Sequence, residues 1–233
     1  MKTIHFIGGE KGGVGKSVFA RLLSQYYIDN EQPYVGLDAD RSHATLTRSY
    51  EAFTRAIDLD RFESTDTIME TALENDANVL VDLPAQSERF LDRWLEENDV
   101  LGMCDEMQIR VVYWYLVDDG KDSAQLLERF IPKYRDVLTC AVVKNEGRGN
   151  DFSEADAILA SASDASEGRL MQMALPALHA PTMHKIDKLD FSFWGAANLK
   201  ESGEDHLGLM ERQRTKVWTR KSYAMIESLL NAL

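Results

Sequence analysis

The sequence predicts a doubly wound α/β domain, in which a mostly parallel sheet is flanked by helices. Short apolar runs alternate with amphipathic stretches, which is the pattern of β-strands joined by crossover helices. A glycine-rich loop follows the first apolar run, and aspartates follow two later ones. Such residues are expected where parallel strands end at a ligand-binding edge. The 233 residues suit one such domain, so we expect residues 1–233 to form a single unit.

The first half of the chain contains three predicted strands and three predicted helices. Residues 4–7 are an apolar strand that ends in glycines, and residues 34–37 form a strand introduced by Pro33. The third strand is the buried apolar run 79–83. The helices are residues 17–29, 67–74 and 88–97. Apolar side chains recur on one face of the first and last of these helices, at Phe19, Leu22, Leu23 and Tyr26 and at Phe90, Leu91, Trp94 and Leu95.

The second half continues the alternation and then changes character. Residues 109–117 are strongly β-prone, residues 119–134 have a helical pattern, and two further strands are predicted at 137–143 and 170–175. Residues 180–208 have no clear period, and we expect an irregular surface excursion with local structure there, anchored by Phe191, Phe193 and Trp194. A helical pattern returns at residues 209–232.

The segment between the first strand and the first helix, residues 10–17, reads Glu-Lys-Gly-Gly-Val-Gly-Lys-Ser. Its glycines let successive backbone N–H groups converge on one anion, and the following helix directs its positive end to the same place. Lys16 can reach the β- and γ-phosphates of a nucleotide, and the Ser17 hydroxyl can ligate Mg²⁺. The other predicted nucleotide contacts are Gly12, Gly13, Val14, Gly15 and Val18.

A second lysine, Lys11, precedes the glycines. Its position lets it point away from its own nucleotide, towards a phosphate held by a neighbouring subunit. The run Lys-Gly-Gly-Val-Gly-Lys-Ser resembles the deviant Walker A motif of the ParA/MinD family of ATPases, which have a SIMIBI-type P-loop NTPase fold. The resemblance is strongest to small ParA-like ATPases of plasmid partition or conjugative transfer. It implies ATP and Mg²⁺ as ligands, slow hydrolysis, and an ATP-bound homodimer in which Lys11 acts across the interface.

Acidic residues follow two strands of the predicted sheet. Asp38 and Asp40 follow the second strand, and Asp82 ends the third in the form of a Walker B motif, which delivers a carboxylate to magnesium. The resemblance implies that Asp40 orients the attacking water and that Asp38 lies near the Mg²⁺ shell. It also implies that Asn145 hydrogen-bonds the adenine, and Pro176 is a candidate wall of the base pocket. Two departures from the family pattern are Glu10, where the consensus has glycine, and Arg41-Ser42, where ParA proteins have Pro-Gln.

The last predicted helix carries a concentration of basic residues, in a chain of net charge −13. They are Arg212, Arg214, Lys216, Arg220 and Lys221. Residues 212, 216 and 220 share one helix face and could contact DNA phosphates, as late basic residues do in ParA relatives. Overall acidity lowers this expectation, because DNA-coating proteins normally present basic surfaces. The resemblance also implies a stimulatory partner protein with a basic segment.

Three alternatives remain open. MinD-type relatives end in an amphipathic membrane-targeting helix, and residues 222–233 are a weak candidate because Glu227 lies among them. A metabolic ligase of the dethiobiotin-synthetase or cobyrinate type uses the same loop, generally without an equivalent of Lys11. A relative of the nitrogenase iron protein would need a cluster-bridging cysteine ahead of the third strand, but Cys104 and Cys140 both follow it. No apolar run suits a secretory signal or a membrane span, so we expect a cytoplasmic protein with two buried thiols.

Overall fold

A computed structural model describes residues 1–163, 169–200 and 206–233. Within these ranges, seven strands form one parallel sheet in the order β3-β2-β4-β1-β5-β6-β7. The strands are β1 Thr3–Gly8, β2 Tyr34–Asp38, β3 Thr54–Ala56, β4 Asn78–Asp82, β5 Arg110–Val117, β6 Thr139–Asn145 and β7 Leu170–Leu175. After β1 the chain forms the three strands on one side of it, β2, β3 and β4. It then forms β5, β6 and β7 on the other side. The loop after β1 therefore lies where the strand order reverses, the usual ligand position in such sheets.

Eleven α-helices connect or flank these strands in the described residues. They are α1 Lys16–Asp29, α2 Thr45–Ser49, α3 Phe62–Thr65, α4 Thr67–Glu74, α5 Glu88–Glu97, α6 Val100–Glu106, α7 Lys121–Tyr134, α8 Ser153–Ser163, α9 Ala180–Lys188, α10 Phe193–Asn198 and α11 Leu209–Leu230. All six predicted strands and all five predicted helices are present. The strand predicted at 137–143 begins two residues later, which places Asn145 at its end. The three-residue edge strand β3 was not predicted.

The excursion predicted at residues 180–208 contains more regular structure than we expected. Residues 180–188 and 193–198 are the helices α9 and α10, and residues 201–205 lie outside the described residues. Both helices are short, so neither shows enough turns for a sequence period to emerge. Of the three expected anchors, Phe193 is buried against Trp218 with ring centroids 4.9 Å apart, whereas Trp194 is exposed.

Both faces of the sheet are covered by helices, as a doubly wound sheet requires. One apolar core contains Phe6 of β1 and Tyr113 of β5 and packs against α4 to α8. The other contains Ile7 and Trp114 and packs against α1, α2 and α9 to α11. Because adjacent residues of a strand point to opposite faces, each central strand contributes to both cores.

A buried polar cluster lies within the second core. The Trp114 indole N–H donates to His5 Nδ1 at 3.0 Å, and the Tyr27 hydroxyl lies 2.5 Å from His5 Nε2. An indole nitrogen can only donate, so Nδ1 must be the acceptor and Nε2 carries the proton, which it donates to the Tyr27 oxygen. Burial, with a smaller contribution from Arg110, lowers the pKa of His5 to about 3. His5 is therefore a neutral structural residue.

Candidate nucleotide-binding site

The loop between β1 and α1 is shaped by glycines with positive φ angles. Gly9 has φ 138°, Gly13 φ 80° and Gly15 φ 103°, values that side-chain-bearing residues rarely adopt. A Cβ at Gly15 would lie 2.2 Å from Asn145 Nδ2. A Cβ at Gly12 or Gly13 would meet no described atom within 4 Å, so this part of the loop presents open backbone. Such a loop at a helix N-terminus suits an anion.

Glu10 stands where the consensus loop has glycine, and the structure accounts for the difference. The φ angle of Glu10 is not positive, so the backbone at this position does not require glycine. Its Oε1 accepts a hydrogen bond from the backbone N–H of Glu88 at 3.1 Å, which satisfies a free amide in the first turn of α5. The side chain therefore ties the loop to α5.

The buried Lys16 ammonium lies beneath the loop. Its Nζ donates to the carbonyl oxygens of Gly9 at 2.8 Å and Lys11 at 3.0 Å. Burial lowers the pKa of Lys16, while the Asp82 and Glu10 carboxylates oppose that shift. The ammonium is thus already positioned inside the loop, where a nucleotide β- or γ-phosphate would compete for it.

Asp82 ends β4 below the loop and is completely buried. Neither carboxyl oxygen has a hydrogen-bond partner among the described residues. Burial, and then the nearby Asp38 charge, raises the pKa of Asp82 to about 8. Ser17 lies close enough to lower that pKa, although its hydroxyl falls short of hydrogen-bond geometry. Two unpartnered carboxyl oxygens beside a serine hydroxyl are the donor set that Mg²⁺ takes in P-loop proteins, so these residues fit the predicted metal.

Asp38 and Asp40 organise the loop that leads from β2 to α2. Asp38 is paired with Asp82 in the sheet register, and its Oδ2 accepts from the Thr47 N–H at 2.9 Å and hydroxyl at 3.0 Å. Asp40 Oδ1 accepts from the backbone N–H of Ser42 at 3.1 Å, and its Oδ2 lies 3.3 Å from His43 Nδ1. Asp40 lines the cavity in front of the phosphate loop. Asp38 is buried, and its two oxygens accept hydrogen bonds from Asp40 and Thr47 within this loop.

That cavity has a volume of about 540 Å³, and several basic side chains that were not predicted to lie at the site line it. Arg21, Arg48, Arg148 and His43 line it together with Lys16. Arg21 is a buried residue of α1 whose Nη2 lies 2.5 Å from Asp187 Oδ1 of α9. The Nε of Arg48 lies 3.0 Å from Asp190 Oδ1. Lys16 and the three arginines outnumber the two lining carboxylates, Asp40 and Asp187, so the cavity suits a polyphosphate.

Asn145 and Pro176 both line a smaller adjoining cavity of about 200 Å³, which Val18 also lines. The Asn145 amide is already in use, however. Its Nδ2 donates to the Val14 carbonyl at 2.8 Å, and its Oδ1 accepts from the Gly147 N–H at 3.0 Å. Asn145 therefore fastens the phosphate loop to the end of β6. The two cavities share Val18, Arg148 and Asp187 in their linings.

Lys11 does not line the phosphate cavity. Its Nζ lies 2.8 Å from Asp118 Oδ2 and 3.1 Å from Oδ1, and this ion pair is partly exposed. Burial alone would raise the pKa of Asp118, but the hydrogen bond from Lys11 and the Gly120 N–H outweigh it and lower that pKa. The lysine is thus directed away from the loop's own anion position and held by an aspartate of the β5–α7 connection.

The basic residues of α11 are not equivalent. Arg214, Lys216, Arg220 and Lys221 are exposed, whereas Arg212 is half-buried and its Nη1 donates to the Leu207 carbonyl at 2.6 Å. The opposite side of α11 is buried at Thr215, Trp218, Ser222, Ile226 and Leu229. The predicted stripe at 212, 216 and 220 is therefore reduced to its last two members.

Both cysteines are buried free thiols, as expected. Burial raises the pKa of Cys104 to about 11 and that of Cys140 to about 12. In the described part of the chain, no helix is long and apolar enough to cross a bilayer.

The chain is similar in sequence to known proteins. No family model matches the chain. A protein named TraL from Escherichia coli is 27% identical over 248 aligned residues, covering 98% of each chain. A protein named MobD from Acidithiobacillus ferrooxidans is 24% identical over 134 residues, covering 56% of this chain and 58% of its own.

Solved structures show the fold. The MinD cell division protein of Aquifex aeolicus aligns with a TM-score of 0.56 and 13% identity, covering 95% of this chain and 96% of its own. The signal recognition particle receptor FtsY of Elizabethkingia anophelis aligns with a TM-score of 0.50 and 13% identity, covering 94% of this chain and 65% of its own. The predicted fold is confirmed: the chain has a doubly wound α/β fold like those of MinD and FtsY.

Proposed function

We propose that this protein is an ATP-dependent dimerising switch, which hydrolyses ATP slowly and acts on DNA or on a macromolecular cargo in plasmid partition or conjugative transfer. The observation that carries the proposal is that two lysines of one loop occupy different positions. Lys16 is buried beneath the loop, whereas Lys11 lies outside the phosphate cavity. A lysine so placed can serve a phosphate held by a second copy of the chain.

Nucleotide binding uses groups that the fold already positions. The open backbone at Gly12 and Gly13 receives the phosphates, and Lys16 exchanges two loop carbonyls for phosphate oxygens. Ser17 and Asp82 would hold Mg²⁺, which would supply positive charge beside the phosphates. The base enters the cavity of Val18 and Pro176.

Hydrolysis needs a water positioned in line with the γ-phosphorus. Asp40 lines the cavity and orients that water. The water oxygen bonds to phosphorus while the bond to the β–γ bridging oxygen breaks, and the water's proton passes to the released phosphate. The products are ADP and inorganic phosphate.

Dimerisation requires Lys11 to leave Asp118. A partly exposed ion pair contributes only about 0.2–1 kcal/mol, so a charge-assisted bond to a γ-phosphate across the interface can replace it. Loss of the γ-phosphate removes that contact and returns Lys11 to Asp118. The triphosphate therefore supplies the differential affinity between monomer and dimer.

The test is the mass in solution, measured by size-exclusion chromatography with light scattering, in ADP and in a non-hydrolysable ATP analogue with Mg²⁺. The unaltered chain should be a dimer only with the analogue. Lys11→Ala should bind the analogue yet remain a monomer. Lys121→Ala, which removes an exposed lysine three positions after Asp118 in the sequence, should dimerise normally. Lys16→Ala serves as the variant that fails to bind. Dimers of Lys11→Ala would refute the proposal.

We also propose that the exposed basic residues of α11 bind DNA phosphates, as late basic residues do in ParA-like proteins. The membrane alternative is less well supported, because Ser222, Ile226 and Leu229 pack into the core and leave no continuous apolar face. The metabolic-ligase alternative gives Lys11 no role. A partner protein with a basic segment, attracted by the net charge of −13, would stimulate hydrolysis. One MinD neighbour was solved as a complex with MinC.

A further inference from the structure

A groove between α1, α10 and α11 lies apart from the nucleotide cavities and shares no lining residue with them. It has a volume of about 510 Å³, within the range of sites that hold an organic ligand. Its apolar surface comes from Phe193, Trp194 and Tyr223. Since Trp194 is 54% exposed while Trp94, Trp114 and Trp218 are at most 4% exposed, one indole is presented to solvent at the rim.

The backbone that carries Trp194 is held in place. Its N–H donates to Gln25 Oε1 at 2.9 Å, and its carbonyl accepts from Asn198 Nδ2 at 3.0 Å. The Ser192 hydroxyl caps α10 by accepting from the Gly195 N–H at 3.0 Å. An aromatic ring fixed on a capped helix loses little further freedom when a planar ligand stacks on it.

The groove is electrically polarised along α11. Lys216 and Arg220 line the groove in consecutive turns of this helix, and neither forms an ion pair with another described residue. Asp29 and Glu227 line the groove too. The Asp29 carboxylate already accepts from Gln25 Nε2 and from the Tyr223 hydroxyl, both at 2.8 Å. Glu227 lies about three turns beyond Lys216 and about two turns beyond Arg220. A polyanion is therefore favoured at the Lys216 end alone.

An exposed aromatic ring beside two unpaired cations is the combination that binds single-stranded nucleic acid. The ring stacks on a base face, and the cations neutralise the adjoining phosphates. In a duplex the base faces are covered by neighbouring pairs, so only the phosphate contacts remain. We propose that this groove binds single-stranded DNA, with Trp194 stacking on a base and Lys216 and Arg220 contacting its phosphates. This inference rests on the proposed role of α11 in binding DNA, but it needs neither ATP hydrolysis nor dimerisation.

The test is a titration of the full chain with a short oligo-dT strand, followed by tryptophan fluorescence and by anisotropy of a labelled strand. Because the other three indoles are buried, quenching by a stacked base reports on Trp194. The unaltered chain should be quenched and should prefer the single strand to a duplex of the same length. Trp194→Phe should bind without that quenching signal, and Trp194→Ala should lose affinity by about fivefold to 150-fold, the range for one stacked base.

Charge variants separate the phosphate contacts from the stacking. The pair Lys216→Gln with Arg220→Gln should weaken binding and reduce the salt dependence, by about 0.7 in the logarithmic slope for each lost contact. Matched controls are Lys121→Gln, an exposed lysine, and Phe53→Ala, another exposed aromatic residue. Both should bind as the unaltered chain does. Circular dichroism confirms that each variant is folded.

The outcomes distinguish this inference from the proposals on which it rests. Equal or tighter binding of duplex, with no effect of Trp194→Ala, would refute the single-strand site while leaving DNA binding by α11 intact. No binding of either form would refute both. Tighter binding of oligo-U RNA than of oligo-dT would also refute the assignment of the groove to DNA. None of these results bears on ATP-dependent dimerisation, which is measured without nucleic acid.

Discussion

Replacing Asp82 by asparagine should stabilise the nucleotide-free protein, by an amount that grows with pH. The carboxyl group is fully buried, and burial together with Asp38 raises its pKa to about 8. In the unfolded chain its pKa is about 4. Between these values the folded state keeps a proton that the unfolded state has released. Stability is therefore greatest below the unfolded pKa and falls as the pH rises through the folded one.

The size of the effect follows from that difference in proton binding. Between about pH 6 and pH 8, the Asp82 proton alone should cost the unaltered chain about 2 kcal/mol of unfolding free energy. Asp82→Asn has no such proton, so its advantage over the unaltered chain should increase by that amount across the same interval. The assay is urea unfolding of both proteins in EDTA without nucleotide, at several pH values.

The other titrating groups contribute equally to the pH dependence of both proteins, provided that the substitution leaves them unchanged. The difference in unfolding free energy between the two proteins therefore reports on Asp82 alone. Addition of Mg²⁺ and a non-hydrolysable ATP analogue should stabilise the unaltered chain and have little effect on Asp82→Asn, because the amide is a poorer ligand for Mg²⁺. A difference between the two proteins that stays constant from about pH 6 to pH 8 would refute the assignment of a buried, protonated carboxyl group.

The parts of the fold that the sequence predicted are those encoded by neighbouring residues. Apolar runs predict buried parallel strands, and glycines spaced around Lys16 predict the loop, since each depends on local backbone preference. The aspartates at 38 and 82 follow because parallel strands end at one edge of the sheet. None of these inferences requires knowledge of distant contacts.

The features that escaped prediction depend on contacts between distant residues. Lys11 and Asp118 are 107 positions apart, so no local pattern predicts their ion pair. Arg21 lies within an apolar helix and is held by Asp187 from a segment that looked irregular. Asn145 was expected to face a base, but the carbonyl that its amide meets belongs to Val14, 131 positions away. Of these features, only Arg21 left a signal in the sequence. An arginine among the apolar residues of the first helix indicates a buried charge that needs a partner.

Two further predictions concern buried polar groups. His5→Gln should lower stability less at pH 5 than at pH 7.5, because the low pKa of His5 costs the unaltered chain about 2 kcal/mol of unfolding free energy at pH 5. Urea unfolding of both proteins at the two pH values measures this effect. A difference between the proteins that does not change with pH would contradict it. Asn145→Ala should destabilise the fold by about 1–3 kcal/mol, because the Val14 carbonyl loses its donor. It should also weaken ATP and GTP equally, since the amide acts on the loop rather than on the base. Calorimetric titration of both nucleotides checks this, with the exposed Asn150→Ala as control. A selective loss of ATP binding without a loss of stability would show that the amide contacts the adenine instead.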